Sequence, residues 1–342
     1  MRVGLVNPQL VGHTTRGTGK YLENLFSELQ SYPDLDIERI NLSQINKSYD
    51  IIHFPYFDPF FLTLPYKKMN KWVITIHDLI PLAYPEHFPP GIRGEIKWQI
   101  QKYQAKRANK IITDSKASKD DIMRYLQVAS DKIAAIYLAP DSLFFKTFSH
   151  SELERTRIKH KLPQLFYLYV GDANWNKNIV NILRAVKASG VKLIIVGRTF
   201  TRKSTQNSWE SELQKAQDLI THTKATVLAE ISSEELAHIY QMSTALLFPS
   251  RCEGFGLPAI EAMASGCPVI TSDRGSLKEI ITDEGLIVDP EDVTEITAAI
   301  ERIRTVSLRE RLVKAAKIRA ETFTWKKTAL ETKQVYESLV SK

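Results

Sequence analysis

The side chains best able to do chemistry are gathered in one stretch, Ser250-Arg-Cys-Glu-Gly-Phe-Gly-Leu-Pro-Ala-Ile-Glu-Ala-Met-Ala-Ser-Gly-Cys-Pro-Val-Ile. It carries two carboxylates, Glu253 and Glu261, with seven residues between them. A strand-like apolar run over 245–248 leads in, Glu253-Gly254-Phe255-Gly256 forms a loop, and Leu257-Pro258 opens a helix at a position that favours proline. Gly254 and Gly256 permit a close backbone approach that side chains would block. The helix start behind them offers unpaired N–H groups and a partial positive charge, which suits a phosphate. Glu253 in the loop and Glu261 on the helix therefore fall at different points along one elongated anionic ligand.

A second constellation begins at Tyr167-Leu-Tyr-Val-Gly171 and continues through Asp172-Ala-Asn-Trp-Asn-Lys177-Asn178, a strand ending in glycine followed by a loop with one lysine. Asn178 there also reads as an ordinary helix cap. In the first half, Thr15-Arg-Gly17-Thr-Gly19-Lys20-Tyr21 follows a strand and opens a helix, and Val73-Ile-Thr-Ile-His77-Asp78 sets a histidine at a strand's carboxyl end. Ser115, in Ile112-Thr-Asp-Ser115, reads as a helix cap.

These residues need a scaffold that places strand ends together. Short runs rich in Val, Ile, Tyr and Phe alternate with helix-period segments, the pattern of parallel strands joined by crossover helices. Strands are predicted over 2–7, 50–54, 72–77, 110–114 and 133–137, with helices over 18–31, 91–109 and 116–127. A polar segment, 149–160, separates this half from a second one. There, strands are predicted over 165–170, 191–196, 226–228, 245–248, 268–271 and 286–288, and helices over 179–188, 209–220, 233–241 and 257–264. The tail from 293 is helical, broken at Phe323-Thr324-Trp325. The fold class is α/β, two doubly wound units in series, and ligands of such sheets bind at the carboxyl ends of the strands.

With 342 residues and 43% hydrophobic content, two cores are expected. No apolar run reaches the ~20 residues that span a bilayer, and Met1-Arg2 leads straight into a strand rather than a signal-peptide core. The expected location is cytoplasmic. Cys252 and Cys267 are too few for a disulfide framework or a zinc site and read as reduced, buried thiols. The formal charge of +7 admits nucleic acid, a membrane surface or an anionic substrate. Dispersed cations and the lack of zinc-finger or RNA-recognition signatures set nucleic acid aside. In the helix over 91–109, however, Arg93, Lys97, Lys102, Lys106 and Arg107 interleave with Trp98, Ile100 and Tyr103. That pattern fits peripheral attachment to an anionic membrane surface on its inner face.

Spaced as they are inside EGFGLPAIEAMASGCPVI, Glu253 and Glu261 resemble the paired-glutamate motif of retaining glycosyltransferase family 4, and the likeness runs from residue 2 to about residue 290. The resemblance implies GT-B architecture, two Rossmann-like domains facing across a cleft. Residues 1–148 would form an acceptor-binding domain with helix 326–342 packing back on it, and 149–325 the donor-binding domain. It further implies a metal-independent, front-face transfer of a hexosyl group, mannosyl by the HDLIP and YLAPD contexts, from a GDP- or UDP-linked sugar to a glycan or lipid-linked acceptor.

Carried over residue by residue, Glu253, His77 and Lys177 are the catalytic set. Glu253 is the sugar-side carboxylate, His77 touches the donor sugar, and Lys177 grips the diphosphate. Glu261 takes the ribose hydroxyls. The backbone of Gly254, Phe255, Gly256 and Leu257 meets the phosphates, with Gly171, Asn178, Gly17 and Gly19 beside them. Asn176 stands where many members carry arginine, so Arg198 and Arg251 are candidates for the missing charge. No cofactor and no metal is implied, and Asp34-Leu35-Asp36 reads as a solvated turn. Two rival readings remain open: a nucleotide-sugar epimerase or hydrolase of the same fold, and a non-catalytic nucleotide-binding partner subunit.

Overall fold

Two sheets, each of six parallel strands, organise the chain. The computed structural model describes residues 1–8, 17–68, 70–204 and 208–340, and the chain divides into Met1–Ala139 with Phe323–Lys342, and Pro140–Thr322.

The first unit runs β1 (Arg2–Val6), α1 (Gly17–Leu29), β2 (Asp36–Ile40), β3 (Ile51–Phe54), β4 (Lys71–Thr75), α2 (Ile80–Ala83), α3 (Gly91–Lys106), β5 (Lys110–Thr113), α4 (Lys116–Leu126) and β6 (Ile133–Ala135). Its sheet order is β2-β1-β3-β4-β5-β6. Strand β3, Ile-Ile-His-Phe, is buried at every position, as a parallel strand covered on both faces requires. Each fully buried Ile or Leu of such strands contributes about 1.5–3 kcal/mol. Strand β2 was not among the predicted strands. It lies at the sheet edge, and its three charged residues, Asp36, Glu38 and Arg39, disguise it as a polar turn.

The second unit runs α5 (His150–Lys159), β7 (Tyr167–Val170), α6 (Ile179–Ser189), β8 (Leu193–Val196), α7 (Ser211–Thr221), β9 (Ala225–Leu228), α8 (Ser233–Met242), β10 (Leu246–Phe248), α9 (Leu257–Ala264), β11 (Val269–Thr271), α10 (Leu277–Ile280), β12 (Leu286–Ile287), α11 (Val293–Arg302) and α12 (Val306–Ala320). The order β12-β11-β10-β7-β8-β9 reverses direction between β7 and β10, so that junction is the topological switch point at which a doubly wound sheet opens a crevice. The polar segment 149–160 is helix α5, started by a capping box in which Ser149 accepts from the Glu152 N–H and Glu152 reaches back. Both cysteines are buried and free, and burial pushes the Cys267 thiol up to about 12.

The unit boundary falls at Ala139/Pro140 rather than at 148. Phe144, fully buried, meets the Tyr240 ring edge-on at 5.8 Å and so belongs with the second core. The last helix, α13 (Trp325–Val340), belongs to the first unit. Thr328 Oγ1 donates to the Tyr137 carbonyl at 2.7 Å, and the Phe323 ring lies 5.9 Å from that of Tyr137. Among the described residues no helix is long and apolar enough to cross a membrane.

Candidate functional site

At the switch point of the second sheet, the turns after β7 and β10 converge. Lys177, in the short turn after β7, places Nζ 2.7 Å from Oε2 of Glu253, which follows β10. The ammonium also lies 5.0 Å from the centre of the Phe248 ring. Glu253 is buried, and its Oε1 makes no hydrogen bond among the described residues. The sequence-predicted sugar-side carboxylate and phosphate cation are therefore one ion pair, with one carboxylate oxygen still able to accept.

The loop carrying Glu253 is held from several sides. Gly256, at φ +105, precedes the first turn of α9; a Cβ there would meet the Leu277 side chain at 2.9 Å, so glycine is required both by conformation and by space. Ser276 Oγ donates to the carbonyls of Glu253 at 2.9 Å and Phe255 at 2.8 Å. Gly275, at φ +59, lies so near that a Cβ would come within 2.8 Å of the Glu253 carbonyl oxygen. On the β7 side, Gly171 adopts φ +150. Gly254 and Phe255 are buried and Leu257 half-buried, with Leu257 the first helical residue, where N–H groups lack helical acceptors.

Glu261 sits in the second turn of α9, buried, and accepts from the Tyr240 hydroxyl at 3.2 Å. Burial, reinforced by the Glu261 charge, holds the Tyr240 phenol well above its ordinary pKa. It stays a donor and fixes the carboxylate.

Asn178 and Arg251, both expected at the donor, make contacts within the second unit. Asn178 takes φ +58 and is fully buried; its amide donates to the carbonyls of Pro249 at 2.9 Å and Pro290 at 2.7 Å. It clamps two turns. Arg251 binds Glu291 at 2.6 Å and the Trp175 carbonyl at 2.8 Å. Arg198 begins a short turn after β8 and is exposed. The side-chain amide of Asn176, where many members carry arginine, donates to the Cys252 carbonyl at 3.1 Å, and its main-chain carbonyl accepts from the Arg251 main-chain N–H at 2.8 Å. Together the two bonds stitch the two site loops.

In the first unit His77 follows β4, and Nδ1 lies 2.7 Å from Oδ2 of Asp114, which follows β5. Asp114 was missed as a site residue; its signal was the adjacency of two predicted strand ends, 77 and 114. Burial pulls the imidazole pKa down, but the Asp114 charge and hydrogen bond outweigh it and raise it above its ordinary value. The Tyr21 ring stands edge-on to His77 at 4.9 Å. Behind it runs a buried hydrogen-bonded chain, Tyr21–Thr75–His53–Tyr336, in which burial lowers the His53 pKa to about 3 and keeps that ring neutral. Gly17 and Gly19 lie inside the first turn of α1 rather than in a loop; Thr15 and Arg16 fall outside the described residues. A cavity of about 180 Å³ opens at the carboxyl ends of β1 and β3, lined among others by Asn7, Phe54, Tyr56, Leu62 and Thr63. Asp34 and Asp36 are at the opposite, amino end of β2, paired with Lys333 at 2.7 Å and Arg2 at 3.4 Å.

The His77–Asp114 pair makes a signed prediction. Asp114→Asn removes the attraction and leaves the burial, so the His77 midpoint, followed by NMR of the ring Cε1–H, should fall below ~6.5. Because the folded state binds this proton more tightly than the unfolded chain, the stability that the wild type gains over the variant is present at acidic pH. It should shrink as pH rises through the folded His77 midpoint.

Residues 151–319 match the family model described as Glycosyl transferases group 1, and residues 18–141 the model described as Glycosyltransferase Family 4. Over 239 residues the chain is 36% identical to the O-antigen chain mannosyltransferase RfbU of Salmonella typhimurium, an alignment covering 69% of this chain and 61% of that protein. The chain thus spans less than two thirds of that relative's length. Among solved structures, the sucrose-phosphate synthase of Thermosynechococcus elongatus superposes with a TM-score of 0.77 at 21% identity, covering 100% of this chain and 99% of that one. HepE of Anabaena, solved with UDP and glucose, superposes with a TM-score of 0.75 at 16% identity, covering 99% and 100%. The chain thus shares the GT-B fold of these solved structures, and a glycosyltransferase family model matches most of each of its two units.

Proposed function

We propose that the chain is a retaining family 4 transferase that moves a hexosyl group, mannosyl in the light of the RfbU likeness, from a GDP- or UDP-linked sugar to a glycan or lipid-linked acceptor without a metal. The observation that carries this reading is the Lys177–Glu253 pair at the switch point, set before the first turn of α9. As the bond from the anomeric carbon to the diphosphate breaks, negative charge gathers on the leaving oxygen. Lys177 and the α9 N-terminus are fixed positive groups suited to that charge, which is the work a divalent ion does in other transferases. The acceptor hydroxyl attacks from the leaving-group face, a new C–O bond forms, and its proton passes to the departing phosphate, which preserves the anomeric configuration.

Glu253 accepts hydrogen bonds from sugar hydroxyls, and His77 donates to the sugar. Glu261, oriented by Tyr240, takes two ribose hydroxyls, since a carboxylate can accept from both. The second unit is the donor domain, the first the acceptor domain, and the cavity at β1 and β3 is the acceptor's entry. HepE in complex with UDP and glucose supports a nucleotide-sugar donor.

Thermal unfolding with GDP, UDP, ADP and dTDP in a chelator tests the donor site. At 100 times Kd one nucleotide should add ~2.7 kcal/mol, a rise of roughly 2–4 °C or more, and Glu261→Ala should abolish it. No rise with any of the four, or a rise unchanged in the variant, would overturn the assignment of Glu261.

A further inference from the structure

Helix α3 turns its apolar side outward. Ile92, Ile96 and Tyr103 are 84%, 58% and 62% exposed, and their spacing sets them with Gln99 in a single stripe along the helix. The inward face is Gly94, Trp98, Gln101, Gln104 and Ala105. Trp98, expected on a membrane-facing side, is buried, and Gln101 secures the neighbouring loop by donating to Thr63 Oγ1 and accepting from the Leu64 N–H at 3.3 Å. That loop adds exposed Phe61, Leu62 and Tyr66 beside the stripe. Lys97 Nζ lies 5.1 Å from the centre of the Phe61 ring, and Arg107 donates to the Tyr66 carbonyl at 3.2 Å.

The rim is cationic. Arg93 and Lys97 flank the stripe on one side and Lys102 and Lys106 on the other, with Arg107 at its end, against a single acid on the helix, Glu95. None of the five cations forms an ion pair among the described residues. A contiguous apolar stripe rimmed by unpaired cations marks an interaction surface. The headgroup region of an anionic bilayer matches both: acyl chains accept Ile and Tyr, and phosphates accept the fringe, reached by flexible stems.

We propose that α3 and residues 61–66 dock the first unit on an anionic lipid surface. Leu62 belongs both to this face and to the wall of the cavity at β1 and β3, so a docked chain would present that cavity at the bilayer boundary. The added step, that a lipid-linked acceptor enters there, rests on the transferase reading; docking itself does not, and it is tested without nucleotide or acceptor.

The purified chain is sedimented with vesicles of phosphatidylglycerol and phosphatidylcholine in equal parts and with phosphatidylcholine alone. Binding is expected to the anionic vesicles only and to weaken as salt rises. The triple variant Ile92→Ser, Ile96→Ser, Tyr103→Ser should lose about tenfold or more in partitioning, with an unchanged melting temperature because all three are exposed. Arg93→Glu with Lys97→Glu should weaken binding as well. Wild-type chain that stays in the supernatant, or a triple variant that binds as the wild type does, overturns the proposal. So does a wild-type dimer in sedimentation equilibrium that the triple variant turns into monomer without any vesicle binding, since the stripe would then be a contact between copies.

Discussion

Lys177→Met should lower kcat by about a hundred- to a thousandfold, the loss typical of removing one preorganised group from the charge that develops in a transition state. The change also leaves Glu253 buried without its cation, at a cost of about 3 kcal/mol, because the pair at 2.7 Å is almost enclosed by protein. The two effects separate in the double variant Lys177→Met, Glu253→Gln. Neutralising both partners should restore stability to within about 1 kcal/mol of the wild type, since a removed pair costs far less than a broken one. Activity should stay lost. Recovery of activity along with stability would mean that Lys177 is a structural cation only.

The second large effect is on folding. Asn178→Ala should destabilise the second unit by about 3–5 kcal/mol, read from the denaturant midpoint. The buried Pro249 carbonyl loses its donor, at about 1–3 kcal/mol, the Pro290 carbonyl keeps only the bond from Asn181 at 3.1 Å, and alanine must hold the left-handed φ of +58 that asparagine tolerates. Asn178→Gly relieves the backbone part only and should recover roughly 1 kcal/mol. Asn178→Asp keeps the tolerance for φ but has no donor when ionised, so it should fall with alanine. A variant set ordered by backbone preference alone would remove the clamp from the account.

The second sheet is legible in the sequence because each strand is a compact run of branched or aromatic residues, as in Tyr167–Val170 and Leu193–Val196, buried on both sides. Edge strand β2 is not legible, since only Ile37 and Ile40 of its five residues are buried and the other three are charged. Helix α5 was concealed by the same polarity, although Ser149 and Glu152 carried its start signal. In the candidate site, Glu253, Glu261, Lys177 and His77 announce themselves by motif, but the groups that set their geometry do not. Asp114 lies 37 residues from His77, Tyr240 lies 21 from Glu261, and Ser276 lies 23 from Glu253. Each reads as an ordinary strand end, core tyrosine or turn serine until the sheet order makes them neighbours. Nor does the sequence show that Asn178 and Arg251, whose side chains suit a phosphate by type, also hold neighbouring carbonyls and Glu291.

Donor turnover tests the central claim most directly. The chain is incubated in a chelator with GDP-mannose, UDP-glucose and related nucleotide sugars together with a panel of alkyl glycosides, and the released nucleoside diphosphate and the anomeric configuration of the product are followed by NMR. The expected result is release from at least one donor, a product that keeps the donor's configuration, and loss of both with Lys177→Met. Inverted product, turnover that needs a divalent ion, or no release from any donor by a folded chain would contradict it.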